Sequence, residues 1–201
     1  LICASGEAVS VNGECVASCT DCVRKPALDP GILASHLDMA VRGDGNILVS
    51  GYSPGAPPAS PFGDLVIGVY DPVAEQVAWE VVDGAPASTI THDPDGWRRG
   101  VSATGDDVGM WTSIVAAELT AYVAYYDVTN SALKIAIGIP NAWSFYTIDA
   151  EADAGRYATM LLDVSGRPTI AYMRMGERSS ETAEWLEASV QVAVAETPSP
   201  T

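Results

Sequence analysis

Met110-Trp-Thr-Ser-Ile-Val-Ala-Ala-Glu-Leu-Thr-Ala-Tyr-Val-Ala-Tyr-Tyr-Asp127 is apolar almost from end to end. It divides into two short strands, Thr112 to Ala117 and Ala121 to Tyr126, with a tight turn at Glu118-Leu119-Thr120. Both strands are rich in β-branched and aromatic residues, and neither alternates between apolar and polar positions. A strand that is apolar on both faces has to be covered on both faces. No strong helical pattern lies nearby to cover it, so the cover is expected to be other sheets.

The same plan recurs. Tyr157-Ala-Thr-Met-Leu-Leu-Asp-Val-Ser-Gly-Arg-Pro-Thr-Ile-Ala-Tyr172 again gives an aromatic, an apolar strand, a turn and a strand ending in Ala-Tyr. Trp111 and Tyr157 correspond at a spacing of about 46 residues, a propeller-blade period. Ser35-His-Leu-Asp-Met-Ala-Val-Arg-Gly-Asp-Gly-Asn-Ile-Leu-Val-Ser-Gly-Tyr52 is a looser copy, turning at Asp44-Gly45-Asn46. The second halves repeat too. Ala132 to Gly138 followed by Trp143 to Asp149 matches Asp64 to Tyr70 followed by Val77 to Asp83. Each unit thus carries about four strands, the content of one blade.

The run Trp111-Thr-Ser-Ile, then Ala124-Tyr-Tyr-Asp-Val-Thr-Asn130, then Leu133-Lys-Ile-Ala136 resembles the repeats of secreted bacterial β-propeller proteins, across roughly residues 32 to 195. The resemblance implies architecture and leaves activity open, because propellers host many functions.

The expected fold is therefore all-β: a propeller-like arc of about three four-stranded blades, in units 32–83, 107–149 and 154–195 within a region 26–195. A cysteine-rich leader, 1–25, precedes it and a Pro-rich tail, 196–201, follows it. Propellers close with about four to eight blades. Three blades leave two bare apolar faces, which predicts remaining blades or a protein partner that closes the ring. A β-sandwich is the alternative that needs neither.

Composition agrees with an ordered, turn-rich β protein: of 201 residues, 48% are hydrophobic and 18% charged, with 18 Gly and 13 Pro. Ten basic residues against 26 acidic ones give a net charge of −16, which excludes a cationic footprint for nucleic acid. No apolar run is long enough to be a transmembrane segment.

All four cysteines, Cys3, Cys15, Cys19 and Cys22, fall in the leader. Two disulfides are the preferred reading and place the chain in a secreted, periplasmic or cell-surface setting. A zinc knuckle built on Cys19-x-x-Cys22 is the competing reading.

Residues 84–109 hold the candidate ligand groups. Asp93, Asp95, Asp106 and Asp107 are oxygen donors of the kind calcium uses, although the spacing lacks an EF-hand's third acid and distal Glu. An Asx turn with solvated carboxylates is the preferred reading of that stretch. Trp97-Arg98-Arg99 places an aromatic beside two cations, suited to gripping a sugar or an anion, or to filling a gap between blades.

Catalytic motifs are sparse. The histidines are His36 and His92. His36 falls at a repeat position held by other residue types in the other units, which suggests a structural role. No nucleophile elbow, zinc-protease motif or phosphate loop occurs. Paired carboxylates for glycoside hydrolysis are compatible with the acidic composition. The expectation is thus a non-catalytic, exported propeller module for binding or assembly, with no cofactor other than calcium, which the acidic loop leaves open. A calcium-dependent or sugar-binding, lectin-like propeller is the first alternative, and a glycan-active hydrolase the second.

Overall fold

The computed structural model describes residues 35–54, 63–84, 105–176 and 187–197, and the backbone of 7–9 and 15–17. Strands β1 (Glu7–Val9) and β2 (Cys15–Ala17) form a small antiparallel ladder in the leader. The rest is a propeller-like arc of antiparallel sheets. Blade 1 has the order β3 (Ser35–Val41), β4 (Ile47–Ser53), β5 (Asp64–Asp71), β6 (Gln76–Asp83). Blade 2 has β7 (Val108–Ala117), β8 (Thr120–Asp127), β9 (Ala132–Ile139), β10 (Ala142–Asp149). Blade 3 shows β11 (Asp153–Leu162), β12 (Pro168–Met175) and β13 (Ala188–Val194) among the described residues. The blades face one another and do not merge into two stacked sheets, so the β-sandwich alternative is set aside.

Hydrophobic pattern explains why blade 2 sits in the middle. Its second strand, β8, is buried from Ala121 to Asp127 because each of its faces meets a different neighbour. Toward blade 1, Ile114, Val123, Tyr125 and Ala136 pack on Leu48, Leu65 and Ile67. Toward blade 3, Tyr122, Ala124, Leu133 and Ile135 pack on Ala154, Met160, Ile170 and Tyr172. Burying one such Leu, Ile or Tyr side chain stabilises by roughly 2–3 kcal/mol, so the two seams carry much of the fold.

Polar ties repeat at both seams. The Tyr125 hydroxyl donates to Asp83 Oδ2 at 2.6 Å, and Lys134 Nζ reaches the same oxygen at 2.6 Å. One blade later the Tyr172 hydroxyl donates to Asp149 Oδ2 at 2.6 Å, with Arg174 paired to the same carboxylate. In each case the acid ends the outer strand of one blade, and the tyrosine and cation come from the next. A second tie runs the other way. The Tyr52 hydroxyl donates to Asp107 Oδ1 at 2.8 Å, and the Tyr126 hydroxyl to Asp153 Oδ1 at 2.6 Å.

Strand β7 begins at Val108, ahead of the Thr112 start that its apolar run suggests. The added stretch contains Gly109 at φ 105°, whose absent Cβ would lie 2.7 Å from the Leu65 Cα. Gly155 repeats this in blade 3, 2.8 Å from the Leu133 Cα. Glycine is required there because the inner strand crosses the backbone of the preceding blade's third strand.

Candidate functional site

The inner strands β3, β7 and β11 lie side by side in that order. Each has a bulge near its start, between Ser35 and Asp38, Met110 and Ser113, and Arg156 and Thr159. At each bulge a ring-bearing residue adopts positive φ: His36 at 54°, Trp111 at 49° and Tyr157 at 54°. That region is a genuine outlier for bulky side chains. Bulges re-aim a side chain, and here all three rings are turned to the same end of the arc. The His36 and Trp111 centroids lie 5.3 Å apart, and those of Trp111 and Tyr157 5.1 Å apart.

Around this row stand groups from the blade seams. Tyr126 is 5.3 Å from Trp111, and the Arg156 guanidinium lies over both rings at 5.0 and 5.2 Å. Asp153 fixes Arg156 through two hydrogen bonds, from Nε at 3.0 Å and Nη2 at 2.8 Å. Those hydrogen bonds hold the Arg156 pKa above its usual value, while burial and the bond to Asp153 push the Tyr126 phenol up. Partial burial lowers the His36 pKa below its usual value, which favours the neutral imidazole. Beneath the rings a polar thread joins the blades. Ser113 Oγ donates to Asp38 Oδ2 at 3.1 Å and accepts the Met160 N–H at 3.0 Å, while the Ile114 N–H also donates to Asp38 Oδ2 at 2.9 Å.

Chemically this is a row of rings with one fixed cation at its edge. Such a shelf suits the apolar face of a flat, hydroxyl-rich ligand, with Arg156 and Asp153 at its polar rim. Asp38, Asp107 and Asp153 are each tied into a seam by hydrogen bonds.

Among the residues expected to bind ligand, Asp107 sits in the first seam, where its Oδ1 accepts both Tyr52 and the Gly63 N–H at 3.0 Å. Asp106, beside it, is exposed. Asp93, Asp95, Trp97, Arg98 and Arg99 lie outside the described residues, as do His92, Cys3, Cys19, Cys22 and the side chain of Cys15. Among the described residues no three His, Cys, Asp or Glu side chains converge as a metal site. His36, expected to be structural, stands at the end of the ring row. Sequence reasoning passed over Asp153 and Arg156, although the repeated Asp107-x-Gly109-x-Trp111 and Asp153-x-Gly155-x-Tyr157 spacing marks the place.

No protein family's sequence profile matches the chain, and no curated protein matches it. Solved structures do. A thermostable family-43 glycoside hydrolase is similar over 88% of this chain and 62% of its own, at 10% identity and a TM-score of 0.53. An endo-arabinase from Bacteroides thetaiotaomicron is similar over 94% and 64%, at 14% identity and 0.51. An endo-1,4-beta-xylanase from the same organism is similar over 87% and 62%, at 9% identity and 0.50. The chain thus spans a little over three-fifths of the length of these relatives in fold. At such identities the likeness establishes the propeller fold. It also corrects one expectation: a chain without catalytic motifs was expected to be no enzyme, yet all three of these propellers are glycoside hydrolases. The physical reason is that carboxylate pairs for glycoside cleavage are assembled in space from different strands and leave no linear motif.

Proposed function

We propose that this chain is a segment of an exported, glycan-active β-propeller that holds a saccharide on the His36–Trp111–Tyr157 shelf for hydrolysis. The observation that carries this reading is the shelf itself. Three successive blades each hold a ring in a backbone conformation costing on the order of 1–3 kcal/mol, and all three rings meet at one end of the arc. Strain retained at the same repeat position in every blade is what a binding site would explain and packing alone would not, since Tyr157 is 60% exposed. Likeness in fold to an arabinase and a xylanase supports pentose polymers as the first substrates to try.

In this reading Trp111 and Tyr157 stack on sugar faces, His36 closes one end, and Arg156, held by Asp153, hydrogen-bonds ring hydroxyls. Hydrolysis requires two carboxyl groups about 5–9.5 Å apart, depending on stereochemical outcome.

The test is titration calorimetry with arabino- and xylo-oligosaccharides, alongside release of reducing ends from the polymers. Binding that weakens about tenfold or more in Trp111→Ala, as loss of a stacking residue would cause, supports the proposal. Absence of binding to any saccharide, or binding indifferent to Trp111→Ala, refutes it.

A further inference from the structure

We propose that the shelf continues outward across blade 3 into a second saccharide subsite, a hollow where Arg174, Glu187 and Ser189 hydrogen-bond the next neutral sugar of the bound oligosaccharide. This subsite rests on the saccharide reading of the shelf and extends it from one row of rings to a longer ligand.

Blade 3 runs outward in the order β11, β12, β13. Its inner strand opens with Asp153, which fixes Arg156 at the rim of the ring row. Ala152 precedes Asp153, and the register sets Arg174 of β12 opposite Ala154 and Ser189 of β13 opposite Arg174. Neighbouring strands lie about 4.8 Å apart, so Ser189 stands roughly 10 Å outward of the start of β11. Ala152, Arg174, Gly176, Glu187 and Ser189 line an open hollow of about 580 Å³ there, a size usual for small-ligand sites. A saccharide leaving the rings over Asp153 and Arg156 enters it next.

The hollow carries both donors and acceptors. Arg174 is held on Asp149 through Nε and Nη2, and its Nη1 lies 3.4 Å from Glu151 Oε2. A guanidinium has five N–H donors, so these bonds orient the group and leave donors for a ligand. Gly176 lets the Glu187 side chain lie close to the backbone: a Cβ there would fall 2.8 Å from the Glu187 Cβ and 3.3 Å from its Oε2. The Glu187 carboxylate supplies acceptors. Ser189 Oγ accepts from Gln191 Nε2 at 2.9 Å and keeps its own O–H to donate. Paired donors and acceptors suit the hydroxyls of a sugar. The Arg174 cation is balanced by Asp149, Glu151 and Glu187, so the site fits a neutral sugar in place of an acidic one.

The corresponding place in the first seam is closed. Counting from Tyr125 and Tyr172, which make the same tie, Asp127 and Ala132 take the register positions of Arg174 and Ser189. Asp127 and Ala132 are each 1% exposed. Residues 128–131 join β8 to β9 in a tight turn, secured by the Asn130 N–H donating to Asp127 Oδ1 at 2.9 Å. Blade 3 replaces that buried acid and alanine with an arginine whose side chain is 30% exposed and an exposed serine. Seam packing gains nothing from the exchange, whereas a polar ligand does.

Titration calorimetry with xylo- and arabino-oligosaccharides, disaccharide against hexasaccharide, tests this, with far-UV circular dichroism of each variant beside it. The unaltered chain should bind the hexasaccharide more tightly. Ser189→Trp fills the hollow and Glu187→Ala removes its acceptors. Each should weaken the hexasaccharide about tenfold, the size of a lost hydrogen bond to a charged group, and leave the disaccharide unchanged. Equal binding of the two lengths by the unaltered chain, with Trp111→Ala weakening both, refutes the subsite and leaves the shelf reading standing. Hexasaccharide binding that neither variant changes, or a variant that weakens both lengths alike, also refutes it. No saccharide bound by the unaltered chain refutes the shelf reading and the subsite together.

Discussion

Tyr157 shows what a single residue contributes to the shelf. It sits at φ 54° with most of its ring in solvent, so little packing compensates its backbone. The left-handed region costs a residue with a Cβ roughly 1–2 kcal/mol, and glycine almost nothing. Tyr157→Gly should therefore be more stable than Tyr157→Ala by about 1 kcal/mol, read from denaturant midpoints. Equal stabilities would show that the strain is absent. The seam tyrosines give a pH dependence. Burial first, then the bond to Asp149, raises the Tyr172 pKa to about 12, and burial raises that of Tyr125 as well. A phenol whose folded pKa is raised adds stability that is complete below its unfolded value near 10 and fades as pH rises toward 12. At the acid end, burial opposes ionisation of Asp149, but the Tyr172 hydroxyl, Arg174 and the Glu151 N–H together bring its pKa below the ordinary value. A lowered carboxylate pKa gives stability that is present above about pH 4 and is lost on further acidification. Thermal melting across pH should thus fall at both ends, and Tyr172→Phe should flatten the alkaline limb.

At the scale of the element, the inner strand is the unit that differs most from its sequence. The apolar run Thr112 to Ala117 was legible because continuous burial demands continuous hydrophobicity. The start of β7 was not, because Gly109 and Trp111 lie in bulged, positive-φ conformations that no periodicity reveals. The seam ties were hidden for another reason. Asp83 and Tyr125, or Asp149 and Tyr172, are far apart in sequence, and nothing local in either residue announces its partner. The equivalence of His36 with Trp111 and Tyr157 was hidden in the same way, because only the shared bulge and positive φ align the three. Gly109 offers the clearest test of the crossing. Gly109→Ala adds a Cβ against the Leu65 backbone at a positive φ, and should cost on the order of 3 kcal/mol in a urea titration. A cost near zero would mean that β7 and β5 do not approach as described.

For the whole molecule, the repeat announced the blades, and three successive blades bring their ring-bearing residues together at one end of the arc. Saturation-transfer difference NMR tests the shelf directly and does not require turnover. With the aromatic protons of the chain irradiated, the bound oligosaccharide's ring protons should receive saturation, and Trp111→Ala should abolish most of it while far-UV circular dichroism stays unchanged. Transfer that persists undiminished in Trp111→Ala, or no transfer in the unaltered chain, would contradict the claim that these three rings hold a sugar.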